Sequence, residues 1–348
     1  MNTVHVKTSK EYDILIENGL IKTCGQYIKN MLTSEQVVIV TDDVVADLYL
    51  ENVKVSLTQN GISPIVYIFK NGEASKNAET YLDLLQFLAQ NHINRKDSLI
   101  ALGGGVVGDL TGFAAATFLR GIGFIQIPTT LLACVDSSVG GKTAIDLPAG
   151  KNLVGAFYQP SLVVCDPAVL STLDEQNFKS GMAEVIKYGI ICDKPFFDGL
   201  MQNAFTMTQI ITKCVEIKRD IVQSDEFDVG KRQLLNFGHT LGHGIEASCN
   251  FELIHGLAVA IGMVKIAEIS QKNNLCDTKT VKQIYDICDK YGLPKETDIP
   301  LNQIMDKMLN DKKVLAKNIN LVIPREIGKC ELYTIPIEKL NEFITKGF

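Results

Sequence analysis

Residues 98–109 read SLIALGGGVVGD, an apolar run that passes directly into three glycines and then into a second apolar segment ending in an aspartate. This order is typical of a buried strand, a glycine turn and the first turn of a helix. Glycines let the backbone approach a phosphate closely, and a helix N-terminus offers free N–H groups and a positive dipole end. The stretch therefore predicts an α/β unit whose turn suits a dinucleotide pyrophosphate. It departs from the usual G-x-G-x-x-G pattern, and a tight turn without a ligand is the alternative.

Strands alternate with helices on both sides of this stretch, which predicts a parallel sheet covered by helices on both faces. Ser75 is a plausible N-cap of one of these helices. The expected elements are strands at Val37–Val40, Ile65–Phe69, Ser98–Leu102 and Phe124–Ile127, helices at Asp43–Gln59 and Ser75–Gln90, and antiparallel edge strands at Thr3–Val6 and Tyr12–Ile16.

From Leu173 onward the periodicity is almost entirely helical, so we expect an α/β domain at residues 1–165 and a mostly α-helical domain at residues 166–348. Ligands of such architectures usually lie at the carboxyl ends of the strands, and the active site is expected in the cleft between the two domains. The expected helices are Asp174–Tyr188, Pro195–Asn203, Thr206–Ser224, Arg232–Ala247, His255–Asn273, Thr278–Tyr291 and Leu301–Asp311, with strands only at Asn320–Ile323 and Lys329–Tyr333.

Composition limits the kind of protein. The chain has 348 residues, 46% of them hydrophobic and 21% charged, with a net charge of -6, which is typical of a globular protein and argues against a nucleic-acid surface. No apolar run approaches the roughly 20 residues that cross a bilayer, and residues 1–10 lack a signal-peptide core. Nine scattered cysteines without a CxxC pair indicate reduced thiols in a cytoplasm and make a cysteine zinc site unfavourable.

The stretch Arg232–His255 contains three of the five histidines of the chain. Arg232, Asn236, His239 and His243 are spaced i, i+4, i+7 and i+11, which predicts one helix face with a cation, an amide and two imidazoles. The alternative is a solvated polar stripe without chemistry.

Catalytic zinc commonly has three protein ligands from histidine and carboxylate groups and an open fourth position. His239 and His255 with a carboxylate from Glu184 or Glu246 would satisfy this, and so would a set that includes both His239 and His243. The spacing leaves these sets open.

Several charged residues stand in apolar or glycine-rich surroundings. Glu184 and Lys187 lie in an apolar helical segment, which favours a buried carboxylate over a surface ion pair. Residues 136–143 read DSSVGGKT, which fails the phosphate-loop register because aspartate replaces the first glycine. Lys142 in that loop is nevertheless a good partner for a phosphate or carboxylate. Asp42, at a strand end, could bind a ribose hydroxyl or simply cap a helix.

Taken together, these motifs resemble the 3-dehydroquinate synthase family of sugar phosphate cyclases. Their joint presence, in the family's order, is far more specific than any single motif. The matching segments are Gly103–Asp109, Arg120–Leu132, Asp136–Thr143, Lys151–Leu153, Gly181–Lys187, Asn236–His243 and His255.

The resemblance implies a Rossmann-like NAD-binding domain, a helical domain and the following sites. The implied metal ligands are Glu184, His239 and His255, which assigns His243 to the substrate. The implied NAD contacts are Asp42, Glu73, Lys76, Gly104, Gly105, Asp109, Thr129 and Thr130, with Lys142 and Lys151 also on the cofactor side. The implied substrate contacts are Arg120 (reaching a neighbouring subunit), Asp136, Lys142, Asn152, Lys187, Lys218, Arg232, Asn236, His243 and either Lys312 or Lys313.

The family's reaction converts 3-deoxy-D-arabino-heptulosonate 7-phosphate to 3-dehydroquinate and phosphate. It proceeds by transient oxidation, phosphate elimination, re-reduction and aldol closure, with NAD and zinc or cobalt as cofactors. Arg232 and Lys218 suit the substrate carboxylate, whereas the remaining basic and amide groups suit the phosphate. The resemblance also implies a cytoplasmic homodimer. The alternatives are another sugar phosphate cyclase, or a metal- and NAD-dependent polyol or alcohol dehydrogenase.

Overall fold

The computed structural model describes residues 1–34, 36–249, 252–311 and 317–348. The chain forms two compact units, Met1–Leu173 with Met207–Phe227, and Asp174–Thr206 with Asp228–Phe348. Lys312 and Lys313, the two candidates for a further substrate lysine, lie outside the described residues.

The strands and helices are numbered here in chain order. The strands are β1 (Asn2–Val6), β2 (Tyr12–Ile16), β3 (Gln36–Asp42), β4 (Ser63–Phe69), β5 (Ser98–Gly103), β6 (Gly123–Pro128), β7 (Lys142–Leu147), β8 (Gly150–Phe157), β9 (Leu162–Cys165), β10 (Asn318–Glu326) and β11 (Lys329–Pro336). The helices are α1 (Cys24–Lys29), α2 (Asp43–Val45), α3 (Glu51–Gln59), α4 (Ala78–Gln90), α5 (Gly105–Thr117), α6 (Glu175–Cys192), α7 (Lys194–Met201), α8 (Met207–Ser224), α9 (His239–Ser248), α10 (His255–Lys272), α11 (Thr278–Lys290), α12 (Leu301–Asp311) and α13 (Ile337–Thr345).

The first unit contains a sheet with the strand order β1-β2-β9-β6-β5-β3-β4. Its neighbouring strands are parallel except for β1 and β2, which confirms the predicted parallel sheet. The prediction of β2 as an edge strand is wrong, because β2 also runs parallel to β9 inside the sheet. Its apolar side chains explain this position, since Ile14, Leu15 and Ile16 are all buried.

The glycine turn lies where β5 passes into α5. A Cβ atom on Gly103 would lie 2.4 Å from Cγ2 of Val107, so only glycine fits there. The backbone N–H of Thr129, just after β6, donates to the carbonyl oxygen of Gly103 at 3.0 Å. The turn is therefore held at the carboxyl ends of two neighbouring parallel strands, where α/β proteins bind their ligands.

The predicted cap of α4 is wrong. Asn77, not Ser75, is the N-cap, and its side-chain oxygen accepts from the N–H of Thr80 at 2.9 Å. Ser75 ends a short 3₁₀-helix, Glu73–Ser75, which precedes the cap. Asn and Ser are comparable N-cap residues, because the side-chain oxygen of either accepts from a backbone N–H in the first turn of the helix. The sequence therefore could not tell which of Ser75 and Asn77 caps α4, and the backbone conformation decides it.

The antiparallel hairpin β7–β8 was not anticipated from the sequence. Its strands are interrupted by a bulge, where Asp146 on β7 faces residues 151–153 of β8. Strand β8 contains two glycines and is mostly exposed or half-buried, so it lacks the clean alternation of apolar and polar residues that marks a strand in sequence.

Helix α8 belongs to the first unit, although the sequence analysis placed it in the helical domain and drew the boundary at residues 165 and 166. It packs against β1 and β2. Side-chain hydrogen bonds reinforce this packing, since Asn2 Nδ2 donates to Thr212 Oγ1 at 3.1 Å and the N–H of Lys7 donates to Gln223 Oε1 at 2.7 Å. A helical period cannot reveal which sheet a helix packs against.

The second unit combines α6, α7 and α9–α13 with the antiparallel hairpin β10–β11. Helix α10 is buried over most of its length, which is typical of a central helix. No helix among the described residues has the length and apolar character needed to cross a membrane.

The predicted continuous helix Arg232–Ala247 is wrong. A 3₁₀-helix, Lys231–Asn236, ends before Gly238, which has a left-handed φ of 78°, and α9 begins only at His239. The close packing of α9 on α10 explains the break, because a Cβ on Gly238 would lie 2.5 Å from Cγ of Met263. Consequently Arg232 and Asn236 do not share a helix face with the histidines.

We expect Gly262→Ala to lower the free energy of unfolding by about 2 to 3 kcal/mol, because it overpacks the α9–α10 contact. Its Cβ would lie 2.0 Å from the carbonyl oxygen of Gly238. The control is Gly19→Ala, whose Cβ meets nothing within 4 Å and whose φ of 86° alone should cost about 1 kcal/mol. Urea denaturation measures both values, and equal losses would contradict the tight packing.

Candidate functional site

A buried carboxylate forms the centre of a cluster in the second unit. Glu184 lies on α6 with its side chain only 1% exposed. Its Oε1 atom is 3.4 Å from Nε2 of His239 and 3.7 Å from Nε2 of His255. Its Oε2 atom pairs with Nζ of Lys187, one turn further along the same helix. The structure thus brings together four side chains that are up to 71 residues apart in sequence.

The two histidines occupy the first positions of α9 and α10. Nδ1 of His239 lies 3.1 Å from the carbonyl oxygen of Phe237, and Nδ1 of His255 lies 3.1 Å from Oε2 of Glu246. Both acceptors favour a proton on Nδ1, so Nε2, which faces Glu184, is the nitrogen that the neutral ring can offer to a metal ion. This is the arrangement in which histidines usually bind metal ions.

His243 is the third imidazole of this cluster. It lies one turn after His239 on α9, and its side chain is exposed. One ligand atom from each of His239, His243 and His255 can be chosen so that all three lie within 4.8 Å of one another. Imidazole nitrogens and a carboxylate are the ligands of catalytic zinc, so this cluster fits a divalent ion.

The two partly buried histidines, His239 and His255, differ in protonation. Burial lowers the pKa of His239 to about 3, so its imidazole is neutral near pH 7. Burial also disfavours the charged form of His255, but hydrogen bonds to Glu184 and Glu246 outweigh it and raise the pKa to about 9. Without a metal ion, the carboxylate is therefore balanced by a protonated His255 as well as by Lys187.

We expect the metal-free protein to lose stability between pH 6.5 and about 9, by at most about 1.4 kcal/mol per pH unit from His255. The pKa of this group is raised on folding, so its contribution is complete below pH 6.5 and disappears as pH rises through the folded pKa. Denaturant titrations of chelator-treated protein measure the slope. His255→Gln should flatten it, and an unchanged slope in this variant would contradict the assignment.

The first unit carries a separate cluster beside the glycine turn. Gly104 and Gly105 begin α5, and a Cβ on Gly104 would lie 3.0 Å from Cγ2 of Thr130. The side-chain oxygen of Thr129 is buried and has no hydrogen-bond partner among the described residues. A glycine-lined helix N-terminus next to an unsatisfied hydroxyl fits a dinucleotide phosphate.

Lys76 is a buried cation whose ammonium group contacts two other residues expected to bind NAD, Glu73 and Asp109. Its Nζ lies 2.8 Å from Oε1 of Glu73, 3.3 Å from Oδ2 of Asp109 and 2.8 Å from Oδ1 of Asn152. Burial alone would lower the pKa of Lys76, but the charges of Asp109 and Glu73 outweigh it and raise the pKa. Burial raises the pKa of Asp109 to about 6 even though Lys76 opposes it.

Lys218, a second buried lysine of the first unit, contacts Asp136, which is an expected substrate residue. Lys218 on α8 is buried, and its Nζ lies 2.7 Å from the carbonyl oxygen and 3.0 Å from Oδ1 of Asp136. Asp136 lies in the short π-helix Ala133–Ser137, and a glycine-rich loop connects this helix to β7, which begins with the exposed Lys142. An ammonium group is thus held beside the glycine-rich loop.

The other expected residues occupy varied positions. Asp42 ends β3 and caps α2 by accepting from the N–H of Val45 at 2.9 Å, so the capping alternative is realised. Burial would raise the pKa of Glu73, but the charges of Lys76 and Lys151 lower it. Arg120 is exposed and has a left-handed φ of 67°. Arg232 is buried in the 3₁₀-helix Lys231–Asn236, and Asn236 is exposed at the end of that helix.

Sequence reasoning missed Asp146. Its Oδ1 accepts from the backbone N–H of Asn152 at 2.7 Å and lies 3.8 Å from Nζ of Lys76. The only sequence signal was its place just before Leu147-Pro148-Ala149-Gly150, a turn that folds the chain back on itself.

Comparisons with known proteins agree on one family. Sequence models described as 3-dehydroquinate synthase N-terminal and C-terminal match residues 66–180 and 181–314. The chain is 44% identical to the 3-dehydroquinate synthase of Streptococcus sanguinis (strain SK36) over 345 residues, which covers 96% of this chain and 97% of that protein.

Two solved structures share the fold over nearly the whole chain. The first is 2-deoxy-scyllo-inosose synthase complexed with carbaglucose-6-phosphate, NAD+ and Co2+, with a TM-score of 0.88, 26% identity and 100% of both chains covered. The second is 2-epi-5-epi-valiolone synthase from Streptomyces hygroscopicus subsp. jinggangensis 5008 with NAD+ and Zn2+ bound. Its TM-score is 0.88 at 23% identity, with 99% of this chain and 97% of that chain covered, so it shows the fold alone.

Proposed function

This chain belongs to the 3-dehydroquinate synthase family, and we propose that Glu184, His239 and His255 hold the divalent metal ion of its reaction. The protein is an enzyme of this type, a cyclase that eliminates phosphate and depends on NAD and a divalent metal ion. The observation that supports the ligand set is the convergence of two Nε2 atoms on one buried carboxylate oxygen.

Two alternative ligand sets fit the contacts less well. Glu246 lies on the Nδ1 side of His255, so it is better placed to orient this imidazole than to share an ion with it. His243 has an exposed side chain, which suits a group that meets the substrate phosphate. A bound divalent ion supplies a Lewis acid that lowers the pKa of a substrate hydroxyl.

The substrate that we propose is an acidic sugar phosphate, and several basic residues suit its two anionic groups. We assign the carboxylate to the guanidinium of Arg232 and the ammonium of Lys218, both buried, because a buried cation binds an anion with little screening. We assign the phosphate to Arg120, Lys142, Asn152, Asn236 and His243. Lys187 pairs with the carboxylate of Glu184, and its ammonium is a further candidate substrate contact.

Bound NAD would supply reversible hydride transfer, with no net oxidation over the whole reaction. We assign its pyrophosphate to the N-terminus of α5 at Gly104 and Gly105, and its polar groups to Thr129, Thr130 and the Lys76 cluster. Asp42 has one carboxylate oxygen engaged in capping α2, and its other oxygen is our candidate for a ribose hydroxyl.

We further propose that the enzyme is a cytoplasmic homodimer. The cytoplasmic location is supported by nine free cysteines. The homodimer rests on the family resemblance alone.

We expect Glu184→Gln and His255→Ala to lose bound zinc after dialysis. His243→Ala should keep its zinc but lose the activity that releases phosphate from the substrate. The His243→Ala substitution leaves the three proposed ligands, Glu184, His239 and His255, intact. Elemental analysis of the purified proteins measures the zinc content. Loss of zinc from His243→Ala, together with retention by Glu184→Gln, would favour the three-histidine set instead.

We expect the enzyme to release inorganic phosphate from 3-deoxy-D-arabino-heptulosonate 7-phosphate with NAD in catalytic amounts, and with no net rise in NADH absorbance. A sugar phosphate that lacks the carboxylate should be a poor substrate because it cannot make the contacts that we assign to Arg232 and Lys218. Accumulating NADH without phosphate release would indicate a dehydrogenase, and equal rates with both substrates would indicate another cyclase.

A further inference from the structure

The β7–β8 bulge gives Asn152 an unusual backbone conformation. Asp146 on β7 faces residues 151–153 of β8, so this part of β8 departs from the regular ladder. Asn152 has a left-handed φ of 55°, a conformation that asparagine adopts more readily than most other non-glycine residues. The N–H of Asn152 donates to the carboxylate of Asp146 at 2.7 Å. A charged acceptor thus fixes the backbone of Asn152 in this conformation.

Both partners of this hydrogen bond are also tied to Lys76. Oδ1 of Asn152 accepts from Nζ of Lys76 at 2.8 Å, and the N–H of Asp146 donates to the carbonyl oxygen of Lys76 at 2.7 Å. The amide of Asn152 therefore has a defined orientation. Because its oxygen is used by Lys76, the Nδ2 hydrogens are the donors that Asn152 can offer to an anion.

We propose that Asp146 is a positioning residue for the anionic substrate. Its carboxylate holds the backbone of Asn152, and Asn152 in turn presents its amide donors to the substrate phosphate. This inference rests on the proposed function, in which Asn152 is a phosphate contact. Asp146 acts through Asn152 and does not itself touch the substrate.

Asp146 has two rival roles that make different predictions. It could merely stabilise the hairpin, in which case its loss would lower stability without a selective effect on the substrate. It could instead balance the charge of Lys76, whose Nζ is 3.8 Å away, in which case its charge and not its acceptor oxygen would matter. An isosteric amide separates these roles, because asparagine keeps the oxygen and loses the charge.

We expect Asp146→Ala to raise the KM for the acidic sugar phosphate about tenfold, with the Kd for NAD changed by less than about twofold. Asp146→Asn should restore KM to within about threefold of the wild-type value, since its oxygen still accepts from Asn152. The matched control is Asp277→Ala, which removes a carboxylate that accepts the N–H of Thr280 at the same distance of 2.7 Å. This control should lower Tm while leaving KM unchanged.

Two readouts do not require turnover. Amide hydrogen exchange at Asn152 should be faster in Asp146→Ala than in wild type, and the affinity for inorganic phosphate, measured by calorimetry, should fall about tenfold. An unchanged phosphate affinity in Asp146→Ala would overturn the positioning role. So would equal losses for NAD and substrate, or an Asp146→Asn variant as impaired as Asp146→Ala.

Failure of the proposed function is distinguishable from these results. A wild-type enzyme that releases no phosphate from the acidic sugar phosphate would reject the proposed function. The phosphate affinities of wild type and Asp146→Ala would still decide whether Asp146 positions an anion contact.

Discussion

The burial of a carboxylate is the constraint on which the second unit depends. Glu184 is 1% exposed, and an ionised carboxylate withdrawn this far from water is destabilising unless opposite charges and hydrogen-bond donors surround it. Lys187 on the same helix supplies one partner, and His239 and His255 supply two more from the first residues of other helices. The starting points of α9 and α10 are therefore part of the site, and the left-handed Gly238 sets one of them.

The first unit also contains a buried charged group, but here the buried group is a cation and its partners are carboxylates. Lys76 is a buried cation, and Glu73, Asp109 and Asp146 surround it with carboxylates. Each cluster combines residues from elements that are distant in sequence, so neither forms until its unit has folded. Each buried polar group would destabilise the fold if it stood alone, but within a cluster the groups satisfy one another. It also gives rigid positions to the groups that meet a cofactor or a metal ion.

Much of the fold could be predicted from local patterns. The alternation of strands and helices predicted the parallel sheet, and the apolar run before Gly103 predicted the turn into α5. Helical periods placed most helices of the second half within a few residues of their observed ends. The errors arose where tertiary contacts override the local pattern, as at Gly238, where the packing of α10 interrupts a helical period. The β7–β8 hairpin was missed because neither strand shows a clean alternation of apolar and polar residues, and β8 is exposed or half-buried with glycines at positions 150 and 155.

By itself, the sequence determined which chemical groups are available: a glycine turn, three clustered histidines and a carboxylate within an apolar helix. It left open which groups meet, because spacing along a chain does not report distances between elements. Only the tertiary structure decided that Glu246 faces Nδ1 of His255 while Glu184 faces Nε2, and that Asp146 holds Asn152. The physical reason is that side-chain orientation depends on how helices and strands pack, and that packing is a property of the whole folded unit.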